Sequence, residues 1–83
     1  MLEREIIIVA EEGLHARPAA DFVKKAMSFK DTDIKVIKDG KEVNAKSMMS
    51  VLSLGAASGS TILIKADGPD EENAVNTLES ILV

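Results

Sequence analysis

The spacing of apolar residues along the chain alternates between a period of two and a period near 3.6, and each change marks a new element. Residues 3 to 10, EREIIIVA, are apolar and β-branched and predict a buried strand, with Ile6 and Ile8 on one face and Ile7 and Val9 on the other. The face carrying Ile6, Ile8 and Ala10 is expected to meet the core. After a break at Gly13, residues Ala16, Ala19, Ala20, Val23, Ala26 and Met27 recur at helical spacing. Pro18 falls in the first turn, where a missing N–H costs no bond, so a helix is predicted over 16–28. DIKVIKDGKEVNA predicts a hairpin: Asp39-Gly40 suits the positive backbone angles of a two-residue turn, and Ile34, Val36 and Val43 should point inward. Residues 47 to 54, SMMSVLSL, predict a short helix capped by Ser47, which Gly55 or Gly59 helps to end. STILIKA, residues 60 to 66, predicts the next strand. In GPDEENAVNTLESILV the expectation is a last helix with Pro69 at its first position and Asp70, Glu71 and Glu72 in its first turn, where the helix dipole favours acids. Its apolar stripe is Ala74, Val75, Leu78, Ile81 and Leu82.

The order β-α-β-β-α-β-α predicts an α+β fold, an open-faced sandwich in which a four-stranded antiparallel sheet carries three helices on one face. At 83 residues the chain has room for one core, and a single domain over 1–83 is expected. A hydrophobic share of 46% with two Phe and no Trp or Tyr makes that core aliphatic. The absence of Cys excludes a disulfide framework, a zinc knuckle and a thiol nucleophile. The start, MLEREIIIVAEEGLHARP, lacks the basic head and long apolar run of a secretory signal, and no stretch reaches the ~18 to 20 apolar residues of a membrane span. A cytoplasmic protein with no membrane insertion is expected. A net charge of −4 disfavours binding to phosphate backbones, and the scarcity of aromatic rings removes stacking platforms, so nucleic acid is not an expected partner.

GLHARPAA, residues 13 to 20, places the only His of the chain at the mouth of the first predicted helix. The amides of Ala16 and Arg17 have no carbonyl partner inside that helix and could bind an anion. A phosphoryl group on His15 would then lie at the positive end of the helix dipole, within reach of the Arg17 guanidinium. Imidazole titrates near ~6.5 in short peptides, so a neutral, nucleophilic nitrogen is present at physiological pH. From the residues alone, an exposed loop histidine beside an arginine is the competing reading. A metal site is not expected, since one His and no Cys cannot complete a closed shell and Glu11 and Glu12 read as solvated charges. No cofactor is implied, and a chain this short offers little room for the pocket of a Ser-His-Asp hydrolase.

The second helix carries two apolar arcs. Met48, Met49 and Leu52 occupy one, Val51 and Leu54 the other, and one sheet face does not easily bury both. Val51 and Leu54 are assigned to the core, and Met48, Met49 and Leu52 are expected to form an exposed patch on which the adaptable methionines meet several partners. The alternative buries all five. Ser47 reads either as a routine N-cap or as a phosphorylatable switch beside that patch.

GLHARPAA, followed some thirty residues later by VNAKSMMSVLSLGAASGS, resembles the HPr family, the histidine phosphocarriers of the bacterial phosphoenolpyruvate-dependent sugar phosphotransferase system. The similarity covers essentially the whole chain. It implies that His15 accepts phosphate from enzyme I on its imidazole Nδ1 and donates it to A domains or subunits of sugar permeases. Arg17 and the backbone amides of Ala16 and Arg17 would steady the phosphate. The resemblance also makes Ser47 the regulatory serine, with HPr kinase/phosphorylase and a catabolite-control transcription factor as regulatory partners, and places Met48, Met49 and Leu52 on the partner-binding patch. It implies a monomer acting as a relay and not as a stand-alone enzyme. In AMSFKDTDI the join between the first helix and second strand is one residue longer than in common members. The alternative function is a regulatory binding module of carbon or nitrogen control acting through Ser47 and the Met48, Met49 and Leu52 patch. A purely regulatory paralogue of this family lacks the reactive histidine, and His15 argues against it.

Overall fold

The computed structural model describes residues 1–11 and 16–83, the side chains of Ala16 and Arg17 apart. The described elements are β1 (Leu2–Ile7), α1 (Ala16–Met27), β2 (Asp33–Lys38), β3 (Lys41–Asn44), α2 (Met48–Ser53), β4 (Thr61–Asp67) and α3 (Glu71–Leu82). The strands form one antiparallel sheet in the order β1-β4-β2-β3, with Ile6 opposite Ile62 and Val36 between Ile64 and Val43. Each of these pairs presents its side chains to the same face, so the period-two pattern becomes a continuous apolar floor. Ile6, Ile8, Ile34, Val36, Ile62, Ile64 and Ala66 are buried there against Phe22, Val23 and Ala26 of α1, Val51 of α2 and Ala74, Val75, Leu78 and Leu82 of α3. This is the open-faced α+β sandwich read from the sequence.

The DG hairpin forms as expected: Asp39 and Gly40 have φ of 52° and 82°, the two positive angles that match the twist of β2 and β3. Other boundaries move. The strand expected to reach Ala10 ends its regular pairing at Ile7. Ile8 continues it by donating to the Ser60 carbonyl and accepting from the Gly59 amide, after which Val9 and Ala10 turn to the end of α3. The first helix stops at Met27, with Ser28 donating to the Lys25 carbonyl in a tightened last turn. Of its predicted apolar stripe, Ala20 and Met27 are exposed, while Phe22, absent from that stripe, is fully buried. Leaving Phe22 in solvent would forfeit the largest apolar side chain available to α1.

Pro69 is not the first residue of the last helix, and the first turn holds two acids, Glu71 and Glu72, with Asp70 as an N-cap that makes no side-chain bond. The turn before it is set by Gly68, where an added Cβ would lie 2.6 Å from the Asp31 carbonyl oxygen and from Thr32 Cα. Buried Thr32 accepts a hydrogen bond on Oγ1 from the Asp70 amide at 3.4 Å, which ties the turn to the foot of β2. The two nearest contacts are backbone and the third is Thr32 Oγ1 at 2.8 Å, so Gly68→Ala must move the chain. A loss of about 1 to 3 kcal/mol is expected, read as a lower urea midpoint at unchanged slope. A variant as stable as the parent would show that the two turns do not press on one another.

A polar link joins β1 to α3: Arg4 Nη1 donates to Asn76 Oδ1 at 2.6 Å and to Glu79 Oε1 at 3.0 Å. Among the described residues no helix is long and apolar enough to cross a membrane.

Candidate functional site

His15 lies outside the described residues, as do the side chains of Ala16 and Arg17. Ala16 and Arg17 are the first two residues of α1, the positions whose amides lack an intrahelical acceptor. The first turn of α1 contains no acidic residue; Arg17 stands in that turn, and Lys24 and Lys25 fall in the last. The positive end of this helix dipole is therefore not offset by a carboxylate of its own first turn. Pro18 occupies that turn, and Ala19 and Phe22 below it are buried, which fixes the axis of α1 on the sheet.

Helix α2 packs beside α1 and divides its apolar residues as the two arcs require. Val51 and Leu54 are buried. Met49 is 84% exposed, Leu52 is 38% exposed, and Met48 is half-buried against the core. The all-buried alternative is excluded by these exposures.

Ser47 is the N-cap of α2: its backbone is extended (φ −111°, ψ 113°), and its Oγ accepts from the Ser50 amide at 3.4 Å. The Ser47 carbonyl accepts from the Val51 amide at 3.0 Å, the first full helical bond of α2. The side chain is half-buried, so the hydroxyl sits at the helix mouth with part of its surface toward solvent.

Two lysines hold this short helix in place. Lys46 Nζ donates to the Phe29 carbonyl at 2.8 Å, tying the start of α2 to the loop after α1. Lys41 Nζ donates to Ser53 Oγ at 3.2 Å, beside the carbonyls of the last turn of α2, where a cation is favourable. Sequence reasoning missed both, because the partners are 17 and 12 residues away and neither spacing is a local pattern. Among the described residues no group of three or more His, Asp or Glu side chains could hold a metal ion.

The topology and the helix layer place the protein among the small open-faced α+β sandwich domains, with two adjacent helices available on one face. Residues 2–83 match the family model described as the PTS HPr component phosphorylation site. The chain is 48% identical over 82 residues to the phosphocarrier protein HPr of Buchnera aphidicola from Schizaphis graminum, covering 99% of this chain and 95% of that one. Its fold is similar to the crystal structure of HPr from Bacillus anthracis, with a TM-score of 0.95, 41% identity, and coverage of 99% of this chain and 96% of the other. It is also similar, with a TM-score of 0.76 and 39% identity over 99% of this chain and 93% of the other, to Crh of Bacillus subtilis, a catabolite-repression protein crystallised as a swapped, intertwined dimer. The chain belongs to the HPr family, the phosphocarriers of the phosphotransferase system.

Proposed function

We propose that His15 is the phosphoryl acceptor and donor of this HPr-family chain. The imidazole Nδ1 forms a bond to phosphorus as the bond from phosphorus to enzyme I breaks. The same N–P bond is then broken when an A domain or subunit of a sugar permease takes the group. The observation that carries this reading is the start of α1 at Ala16, immediately after His15 and with no acid in its first turn. Its free amides at Ala16 and Arg17 favour an anion there, and the Arg17 guanidinium adds charge-assisted donors. Phosphoryl transfer depends on alignment and charge stabilisation, so a small carrier can leave most of the catalytic apparatus to its partners. Met48, Met49 and Leu52 form the surface on which those partners dock in turn. In this reading the chain works as one monomeric domain in the cytoplasm, between enzyme I and the permeases. The test is a two-stage transfer: label from phosphoenolpyruvate should reach the chain through enzyme I and leave it when a permease A domain is added. A chain that takes no label, or holds it irreversibly, overturns the proposal.

A second role is proposed for Ser47, because a half-buried cap hydroxyl adjoins the most exposed apolar residue of α2, Met49. A phosphoryl group of charge about −1.5 to −2 suits a helix N-terminus and leaves α2 intact, while changing the field that a docking partner meets. HPr kinase/phosphorylase would install it and a catabolite-control transcription factor would read it. Ser47→Ala removes the cap and is expected to cost about 1 kcal/mol without slowing transfer to His15. Ser47→Asp keeps a capping oxygen, adds a charge, and is expected to slow that transfer. Equal transfer rates in the two variants, measured with enzyme I, would contradict a regulatory role for charge at this position.

A further inference from the structure

We infer that the last carbonyl of α3 positions the segment that carries His15, by clamping the two residues at which the chain leaves the sheet for it. This rests on the proposal that His15 is the phosphoryl acceptor. Leu82 O accepts from the Val9 amide at 2.7 Å and from the Ala10 amide at 2.8 Å.

The last carbonyls of a helix have no intrahelical donor, and a carbonyl oxygen has two lone pairs. At Leu82 consecutive amides take both. The two bonds are short, and they run from the positive ends of N–H dipoles to the negative end of a helix, an arrangement that adds to each of them. The carbonyl is itself held in place, because the Leu82 side chain is fully buried and α3 packs on β1, β4 and α1.

One residue upstream, Ile8 donates to the Ser60 carbonyl at 2.9 Å and accepts from Gly59 at 2.7 Å. Ile8, Val9 and Ala10 are thus each fixed by backbone bonds, although none belongs to β1. On the far side of the His15 segment, α1 begins at Ala16 and is anchored through Ala19 and Phe22. The described residues on either side of His15 are therefore fixed, Val9 and Ala10 on α3 and the start of α1 on the sheet. Displacement of a reacting group by about 1 Å costs up to ~100-fold in rate, so the clamp bears on transfer and not only on stability.

Ala10→Pro deletes one donor and leaves Leu82, β1 and α1 unaltered. Its expected effect is a fall of roughly tenfold to a hundredfold in kcat/KM for transfer from enzyme I, with a shift of the His15 imidazole resonances. Arg4→Ala is the control. It severs the links from β1 to Asn76 and Glu79 and is expected to leave both readouts at their parent values. Ala10→Pro with parental transfer and unmoved resonances overturns the inference, as does an equal loss in Arg4→Ala. Scalar couplings across the hydrogen bonds from the Val9 and Ala10 amides to the Leu82 carbonyl carbon can be read in the unaltered protein. Their absence, or fast exchange of both amides, overturns the clamp even where Ala10→Pro does not fold. If His15 were not the acceptor, the unaltered chain would take no label at His15, while the couplings and the resonance shift would still report on the clamp.

Discussion

Replacing His15 by Ala is expected to reduce labelling by enzyme I and phosphoenolpyruvate to background. The chain holds one His and no Cys, so no second imidazole or thiolate is present to take over as nucleophile. The chemistry of the label separates the two proposed modifications. A phosphoryl group on imidazole is lost in acid and survives base, whereas an ester on Ser47 survives acid and is lost in base. A thermal melt of His15→Ala alongside the labelling distinguishes lost chemistry from lost fold. Acid-labile, base-stable label persisting in a folded His15→Ala protein would sink the assignment of His15.

Replacing Phe22 by Ala is expected to be the most destabilising single truncation in α1. Phe22 heads the fully buried large side chains and is one of only two aromatic residues in the chain. Removing a buried Phe side chain costs about 3 to 5 kcal/mol, from lost apolar burial together with the cavity left behind. Each 1 kcal/mol moves the midpoint of a domain this small by roughly 4 to 8 °C, so a fall of roughly 12 to 40 °C is expected by calorimetry. A domain typically holds only about 5 to 15 kcal/mol in all, and the variant should keep a fraction of its stability. Met27→Ala is the contrast. Met27 is 56% exposed, and its truncation should change stability by no more than about 0.5 kcal/mol. A Phe22→Ala protein as stable as Met27→Ala would mean that α1 packs through its other face.

What the sequence disclosed follows the range of the interactions. Asp39-Gly40 and the alternation around it are local, and the hairpin has the angles those two residues favour. Ser47 before SMMSVLSL is a local cap signal, and the two arcs of α2 separate into buried Val51 and Leu54 and the exposed or half-buried Met48, Met49 and Leu52 because one sheet face has room for one arc. Phe22 was missed, although it stands three residues after Ala19 and four before Ala26, the spacing of one helix face, while exposed Ala20 and Met27 stood in the predicted stripe. The start of α3 was only partly legible. Pro69 fits a first helical position by preference, but Gly68 against Asp31 and Thr32 imposes a turn that delays the helix to Glu71. The fixings by Lys46 on the Phe29 carbonyl and by Leu82 on Val9 and Ala10 join distant parts of the chain and end on backbone carbonyls, which carry no side-chain signature. The reactive-residue reading came from the paired GLHARPAA and NAKSMMSVLSL motifs, and His15 and the Arg17 side chain lie outside the described residues.

The relay role rests on one atom, Nδ1 of His15. The most direct measurement is phosphorus–nitrogen correlation by NMR on ¹⁵N-labelled protein after treatment with enzyme I and phosphoenolpyruvate. The expected result is a single phosphorus resonance coupled to Nδ1 of His15, disappearing when a permease A domain is added. A phosphorus signal with no coupling to the His15 ring, or one that the A domain leaves in place, would contradict a phosphocarrier working through this histidine.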